Sequence, residues 1–244
     1  MTHLVLLGGW GCNARIWQPL APCWPSELDV ETPDWPGYAD RSPLADPASL
    51  DELATSMAED LPADAVWVGW SLGGLLAGAL LDHLPPPRAL ILLGIGDRFV
   101  NPRGVSDTAL ADFQRALQRS PDTAREHFLR WQLGGEPDPG RTRRDLRQLL
   151  GTAPPASVST LDAGLDHLAR LDNRHRLSAA PCPVYRIAGT RDPLLAPEAL
   201  AGADQHIENA GHCPMLSRPQ HLATRLASIA AAYTLEPERP EPTP

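Results

Sequence analysis

The chain has 244 residues, 43% of them hydrophobic and 21% charged. This suits one soluble globular domain and excludes wholesale disorder or collagen-like order. Its net charge is −9, with all 21 basic residues arginine, and an acidic chain is a poor non-specific binder of nucleic acid.

Short apolar runs punctuate the sequence. Leu4–Leu7 ends in Gly8-Gly9, Leu28–Glu31 precedes Pro33, Ala65–Val68 precedes Gly69, and Ala89–Leu93 precedes Gly94. Further on, Pro183–Ala188 precedes Gly189, and Gln205–Glu208 precedes Asn209-Ala210-Gly211. Such runs read as buried parallel strands feeding loops. Helical patterns fall between them, at 14–21, 49–60, 72–83 and 217–233. The alternation predicts an α/β fold, a mostly parallel central sheet with helices on both faces.

The alternation stops over 98–177. Leu110, Phe113 and Leu117, then Phe128 and Leu129, recur at helical spacing; Gly134–Gly140 breaks the pattern, and Leu146, Leu149 and Leu150 resume it. This reads as an inserted helical cap on a core formed by 1–97 and 178–234. From 98 to 176 there are 13 Arg against 10 Asp and Glu, so the insertion is mildly basic inside an acidic body. The proline-rich end, 235–244, reads as a frayed tail.

Cys12, Cys23, Cys182 and Cys213 show no CxxC or zinc spacing, which points to reduced thiols in a cytoplasmic protein. No apolar run approaches the ~20 residues that span a bilayer. Residues 1–12 lack the basic leader of a lipoprotein signal and read as a strand and a glycine-rich turn. No metal or organic cofactor is implied.

The sharpest signal is Gly69-Trp70-Ser71-Leu72-Gly73-Gly74, a Gly-x-Ser-x-Gly between a strand and a helix. A chain reversing this abruptly strains the middle residue and leaves no room for side chains two positions either side. Ser71 is thereby offered as a nucleophile at a helix N-terminus, and the N–H of Leu72 as an oxyanion donor. A serine needs a base, and the base a carboxylate, in the chain order Ser, acid, His. His212 follows the last strand run and is the candidate base. Asp192 follows the preceding run and is the candidate acid, with Asp97 the alternative. The second oxyanion donor is expected from Gly8-Gly9-Trp10-Gly11, at the N–H of Trp10. Its ring either walls an acyl pocket or packs in the core. Cys12 and Cys213 flank the site without the chain context of a nucleophile.

These segments resemble the α/β-hydrolase fold family, and within it the pimeloyl-acyl carrier protein methyl ester esterases of biotin synthesis. The likeness runs through Leu4 to Trp17, Asp34-Trp-Pro-Gly-Tyr38, the Gly69–Gly74 elbow, Phe128-Leu129-Arg130-Trp131-Gln132 and Arg143-Arg-Asp-Leu-Arg147. It implies that Trp10, Ser71, Leu72, His212 and the segment Phe128 to Gln132 touch substrate. It also implies that Arg143 and Arg147, on one helix face, meet an acidic acyl carrier protein bearing the pimeloyl methyl ester. A monomer that also accepts small esters is expected. The family pattern has His where this chain has Gly8, which removes a hydrogen bond expected to steady the oxyanion loop. The antiparallel edge strands typical of the fold are expected to be missing or to lie outside this sequence. Two rival readings remain: a general carboxylesterase or carbon–carbon bond hydrolase, and an inactive hydrolase-like binding protein.

Overall fold

The computed structural model describes residues 2–151 and 156–233; the expected tail, 235–244, lies outside the described residues. Six strands, β1 (Thr2–Leu7), β2 (Leu28–Glu31), β3 (Val66–Trp70), β4 (Ala89–Leu93), β5 (Val184–Gly189) and β6 (Gln205–Ile207), form one sheet. Their order is β2-β1-β3-β4-β5-β6, and every pairing is parallel.

The unbroken apolar runs follow from two buried faces. Along β1, Val5 and Leu7 enter one core while Leu4 and Leu6 enter the other. In β4, Leu90 and Leu92 share the first core, and Ala89, Ile91 and Leu93 the second. Successive side chains of a strand point to opposite faces, so both sides must be covered. Helix α1 (Leu50–Met57) and helix α2 (Leu72–Leu80) supply apolar residues to the first core.

Between β4 and β5 run α3 (Asp107–Arg119), α4 (Pro121–Gln132), α5 (Pro139–Leu150), α6 (Val158–Arg170) and α7 (Arg174–Ser178). Ser49, Ser106, Asp138 and Ser157 start α1, α3, α5 and α6 by accepting the N–H three residues on. After β5 come α8 (Pro197–Ala201), α9 (Pro214–Ser217) and α10 (Pro219–Ala231), the last two lining the second core.

Two expectations change in detail. The helix expected at 14–21 is a 3-10 segment, Ala14–Cys23. Pro19 and Pro22 inside it lack the N–H that an α-helix needs. The third strand begins one residue later than expected and runs to Trp70, carrying the chain straight up to Ser71. Among the described residues no helix is long and apolar enough to cross a membrane, and all four cysteines are free.

Candidate active site

Ser71 stands between the end of β3 and the start of α2, with φ 55° and ψ −124°. Its N–H donates to the Leu93 carbonyl at 2.9 Å, and its own carbonyl accepts from Gly74 at 2.9 Å. These bonds hold a backbone that costs roughly 1–3 kcal/mol. The glycines have distinct neighbours. A Cβ on Gly69 would strike the backbone of Gly73 and Gly74, as the turn demands. A Cβ on Gly73 would lie 2.5 Å from the Gly8 carbonyl and 2.7 Å from that of Leu7. The second glycine is therefore needed by the loop after β1, not by the first glycine.

His212 and Asp192 meet at 2.7 Å, Nδ1 to Oδ2, with neither side chain exposed. The other Asp192 oxygen accepts the Leu194 N–H at 2.9 Å, so the carboxylate is held from both sides. A carboxylate at Nδ1 selects the tautomer protonated there and leaves the Nε2 lone pair free. Nε2 is buried and has no hydrogen-bond partner among the described residues. Trp70, the residue before Ser71, donates from Nε1 to the His212 carbonyl at 2.7 Å. Asp97 turns elsewhere: it pairs with Arg186 at 2.8 Å.

The loop Gly8–Gly11 is braced by the segment Asp34–Tyr38. Trp35 donates from Nε1 to the Gly8 carbonyl at 2.9 Å, and the Tyr38 hydroxyl accepts the Gly11 N–H at 3.1 Å. Asp34 accepts the Ala14 N–H at 2.6 Å; burial raises its carboxyl above the usual range. Burial likewise pushes the Tyr38 phenol up. The histidine missing at Gly8 thus leaves the loop held by other side chains, which sequence reasoning did not foresee. Among the described residues the N–H groups of Trp10 and Leu72 donate to no protein acceptor.

The Trp10 ring is 1% exposed. It donates to the Leu161 carbonyl of α6 at 2.8 Å and stands edge-on to Phe128 at 4.8 Å and Phe113 at 5.5 Å. It therefore belongs to the core and also fastens the inserted helices beside Ser71. Phe128 and Leu129, consecutive on α4, enter opposite cores. Trp131 is half-buried against Phe128, and Gln132 is buried with its Nε2 unpartnered among the described residues. Arg130 is exposed; it lines a groove of about 690 Å³ between α3 and α4 with Phe113, Ala116, His127 and Trp131. Arg143 and Arg147 share one partner, Glu126, at 3.8 and 2.6 Å.

The buried thiols are unsuited to attack. Burial pushes Cys12 up to about 12, and Cys213 well above its ordinary value, whereas the reactive species is the thiolate. The group of metal-ligand type among the described residues, His3 with Asp29 and Glu31, lies on the β1–β2 edge and shares no residue with this constellation. Sequence reasoning also missed Glu136, which accepts the Cys213 N–H at 2.8 Å.

Residues 4–225 match the alpha/beta hydrolase family. The chain is 31% identical over 239 residues to a pimeloyl-[acyl-carrier protein] methyl ester esterase of Vibrio vulnificus, covering 93% of each chain. It is 32% identical to the protein of that name from Klebsiella pneumoniae, with the same coverage. Among solved structures it resembles an esterase from Exiguobacterium antarcticum (TM-score 0.79, 19% identity, 95% of this chain and 92% of that one). It also resembles a bromoperoxidase from Bacillus anthracis (TM-score 0.78, 17% identity, 95% and 92%). At such identities these two likenesses speak for the fold alone.

Proposed function

The chain belongs to the alpha/beta hydrolase family, and on that premise we propose that it is a serine esterase that cleaves the methyl ester of a pimeloyl group borne by acyl carrier protein. The observation that carries this reading is the buried His212–Asp192 pair, its Nε2 unpartnered among the described residues, in the loops after β6 and β5 and joined through Trp70 to a strained serine after β3.

The Ser71 hydroxyl transfers its proton to His212 Nε2 as Oγ attacks the ester carbonyl. The tetrahedral oxyanion accepts from the N–H groups of Trp10 and Leu72, donors aimed before the charge develops. His212 then protonates the leaving methoxide, and methanol departs. Water, deprotonated by the same imidazole, hydrolyses the acyl-enzyme and regenerates Ser71. Asp192 holds the imidazole in the tautomer that accepts at Nε2 and stabilises the cation formed between steps.

The inserted helices, 98–177, act as a cap. In this reading Trp10, Phe128, Leu129, Trp131 and Gln132 are the acyl-chain contacts, and Arg130, on the groove between α3 and α4, is a further substrate contact. Arg143 and Arg147 receive the acidic carrier; guanidinium groups suit its carboxylates and the phosphate of its prosthetic arm. The substrate assignment rests on the names of relatives above 30% identity along nearly the whole chain.

The test is mass spectrometry of the carrier-borne methyl ester incubated with the protein, beside a free short ester. Loss of one methyl group is expected with the native chain, and a rate lower by several orders of magnitude with Ser71→Ala. Equal turnover by the variant refutes the serine mechanism. Turnover of the free ester alone refutes the carrier assignment.

A further inference from the structure

Glu136 lies between α4 and α5, in a stretch that the sequence marks only as an interruption of helix. It is 4% exposed. Its Oε1 accepts the Cys213 N–H at 2.8 Å, while its Oε2 is buried without a hydrogen-bond partner among the described residues. The Cys213 N–H and the His212 carbonyl belong to one peptide unit. That carbonyl accepts from Trp70 at 2.7 Å. Both polar groups of the peptide following His212 are therefore held: the carbonyl by the residue preceding Ser71, the N–H by the inserted helices.

The backbones on either side also touch. A Cβ on Gly211 would lie 2.8 Å from Glu136 Oε1 and 2.8 Å from the Gly135 carbonyl carbon. A Cβ on Gly135 would overlap the carbonyl of Arg191, the residue before Asp192. This connection thus presses on the loops that carry both His212 and Asp192. Burying a carboxyl group for a single hydrogen bond is a poor source of stability. Its geometry suits it to fixing direction instead.

We propose that Glu136 is a positioning residue, which aims the His212 imidazole by fixing the peptide unit after it. Asp192 fixes one edge of the ring, and the His212–Cys213 peptide fixes the backbone from which the ring hangs. Seating of the inserted helices and readiness of the base become one event. The inference rests on the esterase reading given above, in which His212 is the base.

The experiment compares Glu136→Ala, Glu136→Asp and Glu136→Gln on a short p-nitrophenyl ester, with competent protein counted by exhaustive fluorophosphonate labelling read by mass spectrometry. Glu136→Asp keeps the charge but cannot reach the Cys213 N–H; Glu136→Gln keeps the reach and an acceptor oxygen. The first two are expected to lower kcat per labelled site by about 10- to 100-fold, the range that small misplacement of a reacting group costs, with KM within about twofold. Glu136→Gln is expected to restore most of kcat. If Glu136→Ala does not fold, Glu136→Asp against Glu136→Gln carries the comparison. The proposal is overturned if kcat per site is unchanged in the shortened variants, or if Glu136→Gln falls as far as they do. A native chain that neither labels nor turns over would instead overturn the esterase reading, and this outcome is separate.

Discussion

Ser71 carries a conflict between folding and chemistry. A side chain at φ 55° is strained, and backbone bonds to Leu93, Gly74 and Leu75 hold it there. Glycine tolerates that conformation without the steric cost. Ser71→Gly is therefore expected to raise the melting temperature by about 2–4 °C per kcal/mol of strain released, while ester hydrolysis disappears. Calorimetry beside an esterase assay checks both halves; a lower melting temperature would show that the hydroxyl, not the backbone, dominates there. Ser71, Asp192 and His212 could be singled out in the sequence because Ser71 directly follows a strand run inside a glycine frame, and Asp192 and His212 follow β5 and β6 within a few residues in the chain order Ser, acid, His. Trp35, Tyr38 and Glu136 were not readable. Their partners are backbone groups of Gly8, Gly11 and Cys213, distant along the chain, and nothing in residue type announces such a bond. Trp70 was noticed as a family mark, but its bond to the His212 carbonyl needs coordinates.

The strands were legible to within about two residues because burial on both faces writes an uninterrupted apolar run. Helical spacing also marked α3, α4 and α5. The 3-10 segment at Ala14–Cys23 was misread because apolar spacing outweighed the two prolines. Helix α6 buries Leu161, Leu165 and Leu168 at helical spacing in the first core, and two bonds that spacing does not announce also fasten it: Trp10 on the Leu161 carbonyl, and His167 Nε2 against the Pro47 carbonyl at 3.3 Å. Burial lowers the His167 pKa below its ordinary value, outweighing the Pro47 carbonyl and the acids Asp166 and Asp46, with Arg170 opposing them. The unfolded chain then binds more protons than the folded one between the depressed value and about 6.5, the ordinary value for histidine. Stability is therefore full above that window and is lost as pH falls through it. His167→Phe keeps bulk and removes the titration. Its melting temperature is expected to fall less steeply from about pH 7 to 5 than that of the native chain. Parallel slopes in thermal unfolding would remove His167 from the account.

Across the whole molecule the charge is divided: a mildly basic insertion rides on an acidic body. An acidic carrier would be repelled by most of the surface and drawn to the inserted helices, so attraction there governs encounter rate more than final affinity. The structure adds a condition that composition hides. Arg143 and Arg147 both pair with Glu126, so this trio presents one net positive charge rather than two. Substituting both arginines by alanine leaves Glu126 uncompensated and turns the trio to one net negative charge. For the carrier-borne ester, kcat/KM is expected to fall by at least about tenfold, more at low salt, because exposed charges are screened beyond roughly 10 Å at 0.1 M. Kinetics on a free short ester should not move. Adding Glu126→Ala to the pair makes the trio neutral, and part of the carrier-dependent rate should return. Stopped-flow assays at two ionic strengths separate the possibilities. A loss shared by both esters would assign the arginines to folding of α4 against α5, whereas failure of the third substitution to recover any rate would mean that bidentate contact, rather than net charge, is what the carrier reads.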